Sequence, residues 1–189
     1  MVSRPEMLTL VLGGARSGKS RYAQSLCDGA NGVLFLATAR PADEEMRARI
    51  ARHRAERPAE WRTIEEPLAV PSVIRQLHPG TTVLLDCLTH WLANLAWEHR
   101  NLPEEEQQSR ILVEVEDLAR VADGRRMVVV SNEVGGGVVP ENAVGRRFRD
   151  LQGMANQLLA AEAGVVVLMV AGLPMTLKGS TNGPKEPSL

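Results

Sequence analysis

The sequence predicts an α/β fold, namely a mostly parallel β-sheet with helices on both faces. Short apolar runs alternate along the chain with longer amphipathic stretches. Several runs are continuous in Val and Leu, as strands covered on both faces are, and strands that alternate with helices pair in parallel. A chain of 189 residues is long enough for one domain with a full core. We expect that domain over residues 1–178 and a disordered tail over the polar residues 179–189.

Five apolar runs are predicted to be strands, and the segments between them are predicted to be mainly helical. The first helix is expected over residues 18–27, and another follows residue 86. Apolar side chains at helical spacing from Ile111 to Ala122, and again from Phe148 to Leu159, indicate two amphipathic helices. The predicted strands are residues 8–12, 33–37, 82–86, 127–131 and 165–171.

The first predicted strand leads into the phosphate-binding pattern G-x-x-x-x-G-K-[ST], which residues 13–20 match at every position. Between a strand and a helix, such a loop aims backbone N–H groups and the helix dipole at phosphate oxygens. The alternative is an ordinary Gly-rich turn. It is the weaker interpretation, because it does not explain why the pattern lies between a predicted strand and a predicted helix. The sequence therefore predicts a P-loop NTPase. The nucleotide-binding residues would be Gly13, Gly14, Ala15, Arg16, Ser17, Gly18, Lys19 and Ser20.

Two residues of this loop and one later carboxylate are predicted to bind the phosphates or the Mg²⁺ that neutralises them. Lys19 would reach the β- and γ-phosphates, and the Ser20 hydroxyl would hold Mg²⁺. Active sites of open parallel sheets lie at the carboxyl ends of the strands, and Asp86 ends one of the predicted strands. Asp86 would hold Mg²⁺ opposite Ser20 in the manner of a Walker B aspartate. The alternative is that Asp86 caps the helix that follows.

A strongly basic segment, residues 47–57, carries five arginines and one histidine in a chain whose net charge is −1. Arginines crowded on one helix repel each other unless anions or acidic partners lie close. One interpretation is a solvated face balanced by neighbouring acidic residues. The other makes His53 a nucleophile at phosphorus, because neutral imidazole is a good nucleophile near pH 7. Arg54 and Arg57, one turn apart, would then contact nucleotide phosphate or an adjoining subunit.

A glycine-rich segment, residues 130–142, begins where a predicted strand ends and leads into a helix near Ala143. A loop at this edge of the sheet is well placed to meet substrate, and a flexible connection is the alternative. Arg146, Arg147 and Arg149 follow on the next helix. They leave the same choice between a solvated face and a phosphate contact.

Composition argues against several other classes of protein. The near-neutral charge and the 3% aromatic content do not favour a nucleic-acid track or a polybasic membrane surface. Cys27 and Cys87 are isolated, so neither a zinc site nor a disulfide framework is indicated. No apolar run is long enough to span a bilayer, and the N-terminus does not look like a secretory signal. We expect a cytoplasmic protein with no nucleic-acid partner and no membrane span.

Taken together in their order, these segments resemble one family, the bifunctional adenosylcobinamide kinase/adenosylcobinamide-phosphate guanylyltransferase of cobalamin biosynthesis. The resemblance covers nearly the whole chain except the tail. One departure is Gly136, where the family usually has methionine. The matching segments include G-G-A-R-S-G-K-S at 13–20, A-T-A at 37–39, W-R-T-I-E-E-P at 61–67, L-D-C-L-T at 85–89, S-N-E-V-G at 131–135, V-P-E-N at 139–142, R-F-R-D at 147–150 and V-A-G-L-P at 170–174.

The resemblance implies two reactions on one RecA-like P-loop scaffold, carried out by a homotrimer. Adenosylcobinamide is phosphorylated with ATP or GTP, and GMP from GTP is then transferred to adenosylcobinamide phosphate, which releases pyrophosphate. It further implies that His53 carries the GMP as a covalent intermediate. Glu65 is similar to the residue that helps to seat the guanosine, and Thr38, in the matching A-T-A segment, is assigned to the nucleotide site.

Three other functions remain as alternatives at this point. A regulatory GTPase would carry N-K-x-D for guanine, and the sequence contains no such stretch. A DNA-linked RecA-like motor would favour a basic and aromatic DNA-contacting surface, which this composition does not supply. A small-molecule kinase without guanylyl transfer is the nearest alternative, and His53 is the feature that discriminates against it.

Overall fold

A seven-stranded sheet forms the centre of the molecule. The structure, a computed structural model, describes residues 8–30, 32–41, 43–55 and 57–180. The order of strands across the sheet is β3-β2-β4-β5-β1-β6-β7, and all pairs are parallel except β6 with β7. The strands are β1 (Leu8–Gly13), β2 (Val33–Ala37), β3 (Arg62–Glu65), β4 (Thr82–Asp86), β5 (Met127–Asn132), β6 (Val165–Val170) and β7 (Leu173–Lys178).

Helices cover both faces of this sheet, as the sequence predicts. Successive residues of one strand belong to different cores, because side chains alternate across a sheet: Leu10 and Leu12 lie in the larger apolar cluster, and Val11 lies in the smaller one. Helices α3 to α6 supply the larger cluster, and α1 supplies the smaller. The helices are α1 (Lys19–Ser25), α2 (Glu44–Ala55), α3 (Val70–Arg75), α4 (Leu88–Glu98), α5 (Glu104–Val121) and α6 (Ala143–Glu162).

The predicted α/β class is confirmed, and each of the five predicted strands is present to within one residue at its ends. The first helix is shorter than predicted, since α1 ends at Ser25 and turns follow it. Strands β3 and β7 are not among the five predicted strands. Both lie at an edge of the sheet and neither contains a buried residue, so they lack the buried pattern that identifies the other five. Strand β7 also contains Pro174 and pairs antiparallel. Residues 1–7 and 181–189, parts of the predicted domain and tail, lie outside the described residues.

The position of β5 determines what meets at the carboxyl edge of the sheet. β5 lies between β1, which leads into the phosphate-binding loop, and β4, which ends at Asp86. Gly13 pairs with Asn132 at the end of the β1–β5 ladder. Residues that follow β5 therefore emerge between the loop and Asp86. Within the described part of the chain, no helix has the length and apolar character needed to cross a membrane.

Candidate active site

The phosphate-binding loop joins β1 to α1 with two glycines that other residues would not easily replace. Gly18, at the start of α1, has a φ of 89°, a left-handed conformation that strains residues with a Cβ atom. A Cβ atom on Gly13 would lie 2.9 Å from the carbonyl oxygen of Met169, which is closer than such atoms approach. The Lys19 ammonium donates a hydrogen bond to the carbonyl oxygen of Gly14 at 3.0 Å, so this side chain folds back over the loop.

Strands on both sides of β1 fasten this loop through backbone hydrogen bonds. The Glu133 N–H, just after β5, donates to the Gly13 carbonyl oxygen at 3.1 Å. On the other side, the Gly172 N–H in the turn between β6 and β7 donates to the Ser17 carbonyl oxygen at 3.1 Å. The loop is therefore held in place by its neighbours before any ligand binds, which is a form of preorganisation.

One cavity of about 370 Å³ brings half of the predicted site residues together. We call it the nucleotide cavity. Phosphate-binding loop, sheet edge and basic helix each contribute side chains to it. A larger cavity of about 760 Å³ contains none of the predicted site residues and borders the opposite end of the sheet, at Leu8 and Lys178. The predicted residues that line the nucleotide cavity are Lys19, Ser20, His53, Arg54, Arg57, Glu65 and Asp86.

Ser20 and Asp86 present oxygen donors to this cavity, which suits the preference of Mg²⁺ for a carboxylate, phosphate oxygens and water. No group of three or more His, Cys, Asp or Glu residues that could hold a metal occurs among the described residues, so phosphate oxygens would have to complete the coordination. The helix-cap alternative for Asp86 is not supported, because α4 begins at Leu88 and its N-cap position is Cys87.

The arginines of α2 and of the segment after it differ in how exposed they are and in what they contact. The Arg57 guanidinium lies 3.6 Å from the centroid of the Phe35 ring, and its Nη1 donates to the Thr63 hydroxyl at 3.4 Å. Burial lowers the pKa of Arg57, and the charge of Asp86 opposes that shift. Arg54 is instead 68% exposed at its side chain and lies 3.9 Å from a carboxylate oxygen of Glu65.

Other arginines of the segment support the solvated interpretation. Arg47 pairs with Glu44 on the same helix at 2.8 Å, and Arg52 is exposed. The basic segment is thus partly a solvated face and partly a wall of the nucleotide cavity. Arg57 contributes the half-buried cation of that wall.

Two histidines line the nucleotide cavity. His53 lies in the last turn of α2, and His90 lies in the first turn of α4, four residues after Asp86. His90 is not among the site residues predicted from the sequence. Its place directly after the L-D-C-L-T segment was a usable signal, because residues that follow a strand at its carboxyl end reach the site.

Thr38 differs from the other predicted nucleotide ligands because it is fully buried. Its hydroxyl donates to the Cys87 carbonyl oxygen at 2.7 Å and accepts from the Cys87 N–H at 3.0 Å. Asn94 on α4 donates to the Thr38 carbonyl oxygen at 2.8 Å. These bonds assign Thr38 a positioning role beside Asp86, and its contact with nucleotide stays a prediction.

The arginines after the glycine-rich loop anchor that loop. Arg149 donates to the Gly135 carbonyl oxygen at 2.6 Å, and Arg146 donates to the carbonyl oxygens of Pro140 and Glu141. Arg147 pairs with Glu104 of α5 at 2.8 Å. The segment between β5 and α6 is therefore tied to α6 rather than left as an unattached connection.

Comparisons with known proteins agree on one family. The family model described as cobinamide kinase / cobinamide phosphate guanyltransferase matches residues 9–177. The chain is 44% identical to the bifunctional adenosylcobalamin biosynthesis protein CobP of Pseudomonas aeruginosa, over 92% of this chain and 98% of that protein. It is 39% and 41% identical to the proteins named bifunctional adenosylcobalamin biosynthesis protein CobU of Escherichia coli and Salmonella typhimurium, over 91% of this chain and 100% of each relative.

We expect Thr38→Val to lower the free energy of unfolding, because it leaves the buried N–H of Cys87 unpaired and leaves the Cys87 carbonyl oxygen with only its bond from the Trp91 N–H. An unpaired buried group of this kind costs about 1–3 kcal/mol. Thr38→Ser keeps the hydroxyl and should lose less. Urea unfolding of the two variants, followed by circular dichroism, measures the difference. Equal stability of the Val and Ser variants would show that the two hydrogen bonds of Thr38 do not hold this turn.

Proposed function

The chain belongs to the cobinamide kinase / cobinamide phosphate guanyltransferase family, and from that premise we propose which of its residues act in each of the two reactions. Adenosylcobinamide is phosphorylated with ATP or GTP, and its phosphate then receives GMP from GTP, which yields adenosylcobinamide-GDP and pyrophosphate. The observation that carries this proposal is the nucleotide cavity, where the phosphate-binding loop, two carboxylates, two histidines and several cations meet. A cytoplasmic location, where ATP and GTP are supplied, belongs to the same proposal.

Both reactions place negative charge on the same part of the site. In each, the bond that breaks leaves electrons on a phosphate oxygen held by the loop and Lys19. Preorganised donors at that oxygen stabilise the transition state because they need no reorganisation during the reaction. Ser20 and Asp86 would hold Mg²⁺, which supplies positive charge to the phosphate oxygens when it is bound with the nucleotide.

His53 is assigned as the nucleophile of guanylyl transfer. A ring nitrogen attacks the α-phosphorus of GTP, a nitrogen–phosphorus bond forms, and the bond to the leaving pyrophosphate breaks with its electron pair on pyrophosphate. An oxygen of adenosylcobinamide phosphate then attacks the same phosphorus, and the imidazole leaves. Two displacements allow one site to serve two bulky substrates in turn.

The loose attachment of α2 supports the movement that this assignment requires. None of the described side chains of α2 is buried, so a change in its position disrupts little packing. A helix that carries His53 and Arg54 can then approach a triphosphate bound at the loop. This is an expectation for the complex with nucleotide, and it assigns the motion to α2 rather than to the sheet.

We expect His53→Ala to abolish guanylyl transfer and to retain phosphorylation of adenosylcobinamide, because only guanylyl transfer uses the nucleophile. Incubation with GTP labelled with ³²P at the α-phosphate measures the intermediate directly. A nitrogen–phosphorus bond is labile in acid and stable in alkali. The wild-type chain should therefore carry an acid-labile label, and His53→Ala should carry none.

His90→Ala is the matched control for this experiment, since His90 lines the same cavity. This variant should still take up the label. Labelling that persists in His53→Ala and vanishes in His90→Ala would transfer the role to His90. If the wild-type chain takes up no label, the two-displacement scheme is wrong.

We expect Arg57→Gln to weaken GTP binding more than Arg54→Gln. Arg57 is half-buried against Phe35, and a hydrogen bond from a charged group in such a place contributes about 1.5–3 kcal/mol, which is roughly a 10- to 100-fold change in affinity. Arg54 is mostly exposed and paired with Glu65, where a pair contributes about 0–1 kcal/mol. Isothermal titration with GTP at low salt decides the order.

Arg110→Gln serves as the control, because Arg110 lies on α5 and pairs with Glu106 at the surface. Its GTP affinity should match that of the wild type. Wild-type affinity for GTP in both Arg54→Gln and Arg57→Gln would show that the basic segment, apart from His53, is only a solvated face.

The homotrimer belongs to this proposal as well, and β7 supports self-association. Leu173, Met175 and Leu177 are 69%, 54% and 55% exposed, and Val170 of β6 is 51% exposed. An edge strand with exposed apolar side chains is a surface that proteins usually cover. A second copy of the chain is the occupant that the family resemblance favours.

We expect sedimentation velocity to show an assembly of three copies that Leu173→Lys with Met175→Lys converts to smaller species. Charged side chains on an edge strand oppose its pairing. Val113→Lys, at a 54% exposed position on α5, should leave the assembly intact. A wild-type chain that sediments as a monomer at micromolar concentration would contradict the trimer.

A further inference from the structure

Another cavity, of about 450 Å³, adjoins the phosphate-binding loop, and His53 does not line it. We call it the acceptor cavity. Residues 14–17 of the loop form one wall, residues 136–137 form another, and residues 168–171 of β6 and its turn form the third. Glu133 is the one carboxylate among its lining residues. None of the residues assigned above to the nucleophilic step lines it.

The walls of the acceptor cavity leave room for a large ligand. A Cβ atom built on Gly14, Gly136 or Gly137 would meet nothing within 4 Å, so open space lies beside these backbones. Leu168, Met169 and Val170 give the third wall an apolar character. Such a wall can pack against the apolar parts of an acceptor whose reactive group must reach the phosphates at the loop.

Glu133 is held at the border between this cavity and the loop. Its N–H donates to the Gly13 carbonyl oxygen at 3.1 Å. Its Oε1 accepts a hydrogen bond from the Gly135 N–H at 2.6 Å, and Arg149 holds the carbonyl oxygen of that same Gly135. The carboxylate is thus oriented by its own loop, which leaves its second oxygen for a ligand.

The residue before Glu133 is fixed from two sides. The Asn132 N–H donates to the Thr89 hydroxyl at 3.0 Å, and the Asn132 carbonyl oxygen accepts from the Asn156 amide at 3.1 Å. Asn156 is itself bonded to the Ser131 hydroxyl at 2.6 Å and to Gln152 at 3.0 Å in a buried network. Helices α4 and α6 therefore set the point at which Glu133 leaves the sheet.

The two reactions differ in what they require of the acceptor. In the first, the acceptor is an alcohol, which keeps its proton at neutral pH and must lose it as the oxygen–phosphorus bond forms. In the second, the acceptor is a phosphate, which is already ionised because its second pKa is about 6. Only the first reaction needs a general base.

We propose that Glu133 is the general base of the kinase reaction. This inference rests on the proposed function. The acceptor hydroxyl oxygen bonds to the γ-phosphorus, and the bond from that phosphorus to the β-phosphate oxygen breaks with its electron pair on the departing diphosphate. The hydroxyl proton passes to the Glu133 carboxylate and then to solvent, since Glu133 is exposed. The other two carboxylates near the loop line the nucleotide cavity instead: Asp86 lines it together with Ser20, and Glu65 pairs with Arg54.

Glu133→Gln tests this role without removing the loop contact, because a glutamine oxygen still accepts the hydrogen bond from Gly135. We expect kcat for phosphorylation of adenosylcobinamide with ATP to fall by about 10²- to 10⁴-fold. Guanylyl transfer from GTP to separately prepared adenosylcobinamide phosphate should keep the wild-type rate. The retained second activity shows in the same preparation that the variant is folded.

Glu141→Gln is the control, since Glu141 is an exposed carboxylate on the same segment and should leave both rates unchanged. Wild-type kinase activity in Glu133→Gln overturns the proposal. Equal loss of both activities also overturns it, because a loop-positioning role would affect both. A wild-type chain that phosphorylates no adenosylcobinamide would instead refute the proposed function, and the general-base role would fall with it.

Discussion

The insertion of β5 between β1 and β4 is the constraint on which the rest of the site depends. In this order the phosphate-binding loop and Asp86 are separated by one strand, and the residues that follow this strand lie between them. The register that pairs Gly13 with Asn132 brings the next N–H, that of Glu133, to the Gly13 carbonyl oxygen. A slip of one residue would turn the alternating side chains of β5 to opposite faces, and it would remove both this bond and the buried Ser131 network.

Two cavities border different parts of one phosphate-binding loop: residues 14–17 line the acceptor cavity, and Lys19 and Ser20 line the nucleotide cavity. The nucleotide cavity is lined by two histidines and several cations, whereas the acceptor cavity is lined mainly by small and apolar residues, with Arg16 and Glu133 as its charged groups. A nucleophile that carries GMP must approach the α-phosphate, but an alcohol must approach the γ-phosphate and lose a proton. Different ends of the same triphosphate therefore require different chemistry. The loop between the cavities lets both reactions share the same groups for stabilising phosphate charge.

Much of this was predictable from the sequence, and the reasons for the exceptions are physical. Apolar periodicity identified five strands because they are buried, and it did not identify the edge strands β3 and β7 because neither contains a buried residue. The loop pattern located Lys19 and Ser20 because it is local. The bonds of Thr38 to Cys87 join residues 49 positions apart, and no local pattern contains them. Arg146 and Arg149 of α6 were ambiguous for a similar reason, since their partners are backbone carbonyl oxygens, which carry no signal in the sequence.

The weak packing of α2 is consistent with a helix that has to serve a moving nucleophile. Like charges on one helix cost a few tenths of a kcal/mol per pair, and the exposed contact between Arg54 and Glu65 contributes about 0–1 kcal/mol. Both terms are small compared with the attraction of several arginines to a triphosphate. Binding of the nucleotide can therefore shift α2 at low cost, while the sheet, its buried network and the loop stay fixed. In the proposed mechanism, the rigid part of the site would hold the phosphate chain, and α2 would deliver His53.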